Sequence, residues 1–203
     1  MNAEKLKFYI DYLPIAMDLG KKYNIPPFAI LVQAGIESGF GKKKIGNNMF
    51  GLKFNPKKDS LKQLVTTTEF GNDLKPNYPV VLSVTLTGKS KPKYKYKVKD
   101  YFADYATVKD SFEAYVKLLV NNPRYKNALG EKDPFLFISK VIDAGYATDP
   151  NYKKLAKSLI EEIDKAFRGK ILKLPSQMQT VLASLMIGAG VFFYFTPLLP
   201  NLS

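Results

Sequence analysis

ILVQAGIESGFGKKKIGNNMFGLKF, residues 30–54, holds one carboxylate, Glu37, where an apolar helical pattern runs out into glycines. Read outward from that acid, NIPPFAILVQAGIES has the form of a helix. Asn24 is placed to cap it, and Pro26 and Pro27 suit a first turn. Phe28, Leu31, Val32, Gly35 and Ile36 recur at helical spacing and predict one buried face. Glu37 follows Gln33 by one helical turn, so those two share a different face. Gly39 and Gly41 are expected to end the helix. Upstream, an amphipathic helix is expected with Leu6, Ile10, Leu13, Ala16, Met17 and Leu19 near one face. Charges interrupt the apolar stretches there, so no secretory signal is read.

Downstream the period changes. QLVTTTEF, VVLSVTLTG and KYKYKVKDYF are β-branched, aromatic and alternating, with Tyr94, Tyr96 and Val98 set between Lys93, Lys95, Lys97 and Lys99. Turn signals in GNDLKPNYP and GKSKPK separate them, which predicts a small antiparallel sheet inserted between helices. Helical period then returns. A capping box spans Thr107 to Asp110, ahead of a stripe of Phe112, Tyr115, Leu118 and Leu119. Asp133 and Pro134 start another helix that stops at Gly145. Asp149 and Pro150 start the last one, with core positions Tyr152, Leu155, Ala156, Leu159, Ile160 and Ile163.

Residues 174–203 carry no charge, and the stretch VLASLMIGAGVFFYF lies within them. A run of ~20 apolar residues suffices to cross a bilayer, so a single-pass C-terminal membrane helix is expected at 178–198 after a basic linker at 168–177. The ordinary alternative is a buried C-terminal helix.

Composition narrows the chemistry. The 203 residues include no Cys and no His, which removes thiol nucleophiles, Ser-His pairs and His-ligated zinc. Carboxylate, Ser/Lys or Tyr chemistry remains, as does an all-oxygen metal site. Lys+Arg exceed Asp+Glu by 31 to 18, a net charge of +13 that fits polyanionic neighbours or simply a lysine-rich soluble surface. No clustered basic motif points to specific nucleic-acid binding. A lone acid beside aromatic residues is awkward for stability, because burial disfavours its charged form and raises its pKa. A general acid working near neutral pH needs that environment, and glycosidic cleavage is a standard use; a solvated surface acid is the plainer reading.

Five segments then occur in order: QAGIESGFGK, NNMFGLKF, TTTEF, SFEAYVKLLVNNPRYKNAL and AGYATDPNYKKLAKSLIEEI. Together, over about residues 10–165, they resemble the glucosaminidase domain of glycoside hydrolase family 73, which includes flagellar and autolytic peptidoglycan hydrolases. The resemblance implies an α+β, mainly α, lysozyme-like domain at 1–167, with a β-hairpin lobe at about 55–105 and a cleft between them. It implies cleavage of β-1,4 bonds in peptidoglycan glycan strands, as an endo-β-N-acetylglucosaminidase. By resemblance, Glu37 matches the catalytic acid, followed by Ser38; Glu69 matches the second, hairpin carboxylate; and Tyr146 matches an aromatic facing the cleft. Asn47 and Asn48 are candidates to hydrogen-bond the glycan, and Phe50, Tyr125 and Tyr146 to pack on sugar faces, against a core role for each aromatic. Asp59, Asp73 and Asp100 are fallback acids. No metal or cofactor is required. Phe40 stands where the family commonly has Trp, and the hairpin region, 55–99, looks longer than usual. A lytic transglycosylase of the same fold, needing one acid, and a membrane-anchored wall-binding protein without catalysis are the alternatives.

Lys165, Arg168, Lys170 and Lys173 precede the apolar span and no positive charge follows it, so the positive-inside rule places the domain on the cytoplasmic side. Peptidoglycan lies on the other side. A phage lysin held until the host inner membrane fails, or an enzyme on a virion's internal membrane, answers that topology; a bacterial autolysin with unread export is the plain alternative.

Overall fold

The computed structural model describes residues 1–147, 149 and 151–171. Two helices come first, α1 (Ala3–Tyr23) and α2 (Pro27–Ser38). A three-stranded sheet follows, β1 (Leu61–Gly71), β2 (Val80–Leu86) and β3 (Tyr94–Asp104). The chain returns to helices with α3 (Val108–Asn121), a 3-10 turn (Pro123–Ala128), α4 (Pro134–Asp143) and α5 (Tyr152–Ile171). This is the mainly helical α+β arrangement expected, with the sheet inserted between helical segments.

Helix α2 is the centre of the helical layer. It packs on α1, α3, α4 and α5, and every residue from Pro27 to Gly35 is buried. The expected single apolar face is therefore too narrow: a helix with neighbours on all sides has no wet face to keep polar. Asn24 does not cap α2. It ends α1 in the left-handed conformation, φ 56°, with its N–H donating to Gly20 O; Pro26 occupies the cap position of α2. Gly39 closes α2 at φ 56°, a left-handed turn in which glycine carries no Cβ penalty.

The α1 face also differs from expectation. Phe8, Tyr9, Ala16 and Leu19 are buried, whereas Ile10 is 42% exposed. Large aromatics fill the space against α2 and α3, and Phe8 and Tyr9 both meet Phe40 edge to face.

In the sheet, β3 is central and both neighbours run antiparallel to it. Tyr96, Val98 and Phe102 are buried while Lys95, Lys97 and Lys99 are exposed, as the alternation predicts. The capping box at Thr107 and Asp110 forms in full. Leu118 is only half-buried, and Val116 is buried beside Phe112, Tyr115 and Leu119. Asp133 caps α4, with its carboxylate accepting from Leu136 N at 2.8 Å. In α5 the buried seam is Tyr152, Ala156, Leu159, Ile160, Ile163 and Phe167; Leu155 lies off it, 47% exposed.

Among the described residues no helix is long and apolar enough to cross a membrane. The span expected at 178–198 lies outside the described residues.

Candidate active site

Glu37 occupies the last turn of α2, one residue before Ser38 and the Gly39 turn. Its carboxyl is partly buried, and Oε1 accepts a hydrogen bond from the Tyr152 hydroxyl at 2.8 Å. Burial raises its pKa from the ordinary carboxylate value, and the Tyr152 hydrogen bond, which favours the charged form, works against that rise.

Tyrosines from three elements back the acid. Tyr146 meets Tyr115, Tyr125 and Tyr152 edge to face, with ring centroids 6.0, 6.3 and 6.4 Å away. Burial, then Tyr152, Glu37 and Tyr125, hold the Tyr115 phenol far above its usual range. Tyr146 is raised by burial first, then by Tyr115, Glu37, Tyr152 and Tyr125. Tyr152 is raised by burial and by Glu37, with Gln33 pulling the other way. All three phenols are therefore neutral, and none competes with Glu37 for negative charge. Beneath them, the Tyr115 hydroxyl donates to Gln33 Oε1, with both side chains buried. The helical turn from Gln33 to Glu37 thus ties the acid to α3 through Tyr115 and to α5 through Tyr152.

Glu69 lies on β1 opposite Tyr96 of β3. Its Oε1 accepts from Lys53 Nζ at 2.7 Å, and the same ammonium donates to Asp100 Oδ2 at 2.8 Å. Asp100, a fallback acid, is thus joined to Glu69 through Lys53. Asp59 instead accepts from Asn55 N within its own loop at 2.6 Å. Asp73 contributes its backbone carbonyl to the Tyr96 hydroxyl, also at 2.6 Å.

The other expected residues are tied into the fold. Ser38 Oγ donates to Ala34 O at 2.6 Å and accepts from Gly41 N at 2.9 Å, pinning the turn after Glu37. Asn47 donates to Tyr105 O and Ala106 O at 2.8 and 3.0 Å. Asn48, 1% exposed, donates to Leu52 O and Ala103 O and accepts from Phe50 N and Leu52 N. Its amide is committed on both sides and has little capacity left for a glycan. Phe50 stacks flat on Tyr115, centroids 4.0 Å apart at 1°, and Tyr125 is 4% exposed; both are core side chains. Only Tyr146 of the three aromatics is partly open beside Glu37. The sequence places Tyr152 in the core and Gln33 on the face of Glu37, and it marks neither Tyr152 nor Lys53 as a partner of the acids. Nothing local marks those two contacts, since Tyr152 is 115 residues from Glu37 and Lys53 is 16 from Glu69.

Among the described residues no three carboxylates gather as a metal site. An open cavity of about 720 Å³ lies between the 52–59 loop and α3, lined by Lys53, Asp59, Tyr105, Glu113 and Leu118 among others; Glu37 is not in its lining.

A family model described as mannosyl-glycoprotein endo-beta-N-acetylglucosaminidase matches residues 13–165. The peptidoglycan hydrolase FlgJ of Vibrio parahaemolyticus is 31% identical over 158 residues, covering 74% of this chain and 45% of that protein. The exo-glucosaminidase LytG of Bacillus subtilis is 26% identical over 172 residues, covering 80% of this chain and 53% of its own length. The chain thus spans about half the length of these curated relatives. The solved glycoside hydrolase domain of Salmonella typhimurium FlgJ superposes with a TM-score of 0.62 at 27% identity, covering 85% of this chain and 94% of that one. A match over three quarters of the chain, with helices and sheet superposing on a solved member, places it: the chain belongs to the glucosaminidase family.

Proposed function

We propose that the chain is a peptidoglycan hydrolase that cleaves β-1,4 glycosidic bonds of the glycan strand as an endo-β-N-acetylglucosaminidase. The observation that carries the reading is the environment of Glu37: a partly buried carboxyl with a raised pKa, held by Tyr152 at the end of the central helix. The family membership and the FlgJ and LytG likenesses support the substrate class. Glu37 delivers its proton to the glycosidic oxygen as the bond to the anomeric carbon breaks. Glu69 takes a proton from the water that attacks that carbon and releases it to solvent, and Glu37 is reprotonated from solvent. If the sugar's N-acetyl group is the nucleophile instead, Glu69 orients it. Tyr146 is the aromatic best placed to meet the sugar near the acid.

The test is digestion of purified peptidoglycan by the wild-type chain and by Glu37→Gln and Glu69→Gln, with mass spectrometry of the products. Reducing N-acetylglucosamine ends, lost in both variants, support the reading. Anhydro-sugar ends with Glu69→Gln still active make the chain a lytic transglycosylase, and no cleavage by wild type makes it a wall-binding protein.

For location, we propose a bilayer anchor at 178–198 with the domain on the cytoplasmic side, supported by the uncharged stretch 174–203 and the basic residues before it. A phage-associated role in host lysis or wall penetration fits that topology. Release of the full chain from membranes without detergent refutes the anchor.

A further inference from the structure

We propose that Lys53 is a positioning residue that fixes the Glu69 carboxylate against the helical domain. The proposal rests on the reading of Glu69 as the second carboxylate.

Glu69 needs such a link because of where it sits. Strand β1 begins at Leu61 opposite Asp104, beside the helices, and Glu69 lies near its far end, opposite Tyr96. β1 is an edge strand, paired with β3 alone. A two-carboxylate reaction depends on the separation of the two groups, and a misplacement of ~1 Å costs about a hundredfold in rate. Glu37 is fixed on α2; the hairpin acid has to be held relative to it.

Lys53 comes from a segment that is hydrogen-bonded to both α3 and β3. Asn48 ties that segment to Leu52 and Ala103, and Met49 N donates to the buried Ser111 Oγ of α3 at 2.9 Å. Ala103 N donates to Leu52 O, and Phe54 N to Tyr101 O, both at 3.0 Å, which seats the segment beside β3. From there the Lys53 side chain crosses the Phe102 ring, with Nζ 4.0 Å from its centroid, to reach Glu69 and Asp100. Asp100 holds the ammonium from a second side, so Lys53 does not simply follow Glu69. Burial disfavours the Lys53 ammonium, but its hydrogen bonds to Asp100 and Glu69 prevail and its pKa is raised, so it stays a charged donor. Among the described residues Lys53 is the hydrogen-bond partner of the Glu69 carboxylate. The chain from Glu37 to Lys53 is short in sequence and carries hydrogen bonds at Ser38, Ile45, Asn48, Met49 and Leu52, which links the two acids mechanically.

The test measures kcat and KM on solubilised glycan strands for the full chain carrying Lys53→Met, Lys53→Arg, Asp100→Asn, Glu69→Gln and the Lys53→Met/Glu69→Gln pair. Lys53→Met is expected to lower kcat by about ten- to a hundredfold with KM nearly unchanged. Lys53→Arg restores most of the loss, because a guanidinium can bridge both carboxylates. In the Glu69→Gln background, Lys53→Met adds nothing, since the group it positions is already disabled. Losses that multiply in the double variant, or a Lys53→Met enzyme with wild-type kcat, overturn the proposal. Should Lys53→Met fail to fold, Asp100→Asn carries the test, with a smaller kcat loss that is likewise masked by Glu69→Gln. Wild-type kcat in Glu69→Gln alone removes the second-carboxylate reading itself, an outcome distinct from failure of the Lys53 link.

Discussion

Asn48→Ala separates a residue that touches substrate from one that builds the loop beneath it. The Asn48 side chain makes four hydrogen bonds, to Leu52 O at 2.9 Å, Ala103 O at 3.0 Å, Phe50 N at 3.3 Å and Leu52 N at 3.1 Å. The two carbonyls have other donors: Leu52 O accepts from Ala103 N, and Ala103 O from Gln63 Nε2. Phe50 N and Leu52 N are the groups left without the partner the side chain supplied. Each buried, unpaired donor costs about 1–3 kcal/mol; with one weak bond and some entry of water, the sum is about 3 kcal/mol. In a domain of this size that lowers Tm by roughly 6–12 °C. Asn48→Asp is expected to be at least as damaging, since it keeps the acceptor but turns a carboxylate oxygen toward two carbonyls at a site 1% exposed. The assay is thermal unfolding of both variants alongside kcat and KM. A wild-type Tm with a raised KM refutes the loop-building argument and returns Asn48 to the glycan.

Tyr152→Phe removes the hydrogen bond that favours the Glu37 carboxylate, so the Glu37 pKa rises further. The acid works only when protonated, and the alkaline limb of the kcat/KM profile is expected to move to higher pH; a limb that stays or moves lower refutes the assignment of Glu37 as the acid. Glu37→Gln is expected to remove activity by at least about a hundredfold while the fold persists. Because the folded-state pKa of Glu37 lies above its unfolded value, its protonated form favours folding, and that contribution is lost as pH rises through the folded pKa. Glu37→Gln therefore gains in Tm over wild type at neutral pH, and the gain vanishes in acid; an advantage independent of pH counts against the raised pKa. Phe50→Ala deletes the ring stacked on Tyr115 and is expected to cost about 3–5 kcal/mol, read by denaturant unfolding, where a loss below 1 kcal/mol contradicts its core placement. Gly71→Val is expected to distort the hairpin, because a Cβ there lies 3.0 Å from the Tyr96 ring; an unchanged near-ultraviolet circular dichroism spectrum argues otherwise.

The amino-acid sequence by itself determined the elements and several of their ends, though not the start of α2. Periods of 3.6 and 2 placed the helices and strands, and the Thr107 capping box, the Asp133 cap and the Gly39 turn are short-range signals that form as read. It also determined which acid stands out, since Glu37 comes where an apolar helix stops. The tertiary structure decided what that acid touches. Tyr152 approaches from 115 residues away, Tyr115 reaches Gln33 across 82, and Lys53 meets Asp100 across 47. It also committed the Asn48 amide to the loop, placed Phe50 in the core, the reading set beside sugar packing in the sequence, and buried α2 from Pro27 to Gly35 on every side where its own pattern showed one face. The physical reason is common to all of these. A period or a cap is satisfied by neighbours in the chain, whereas a side chain's partner is set by which helices and strands pack together.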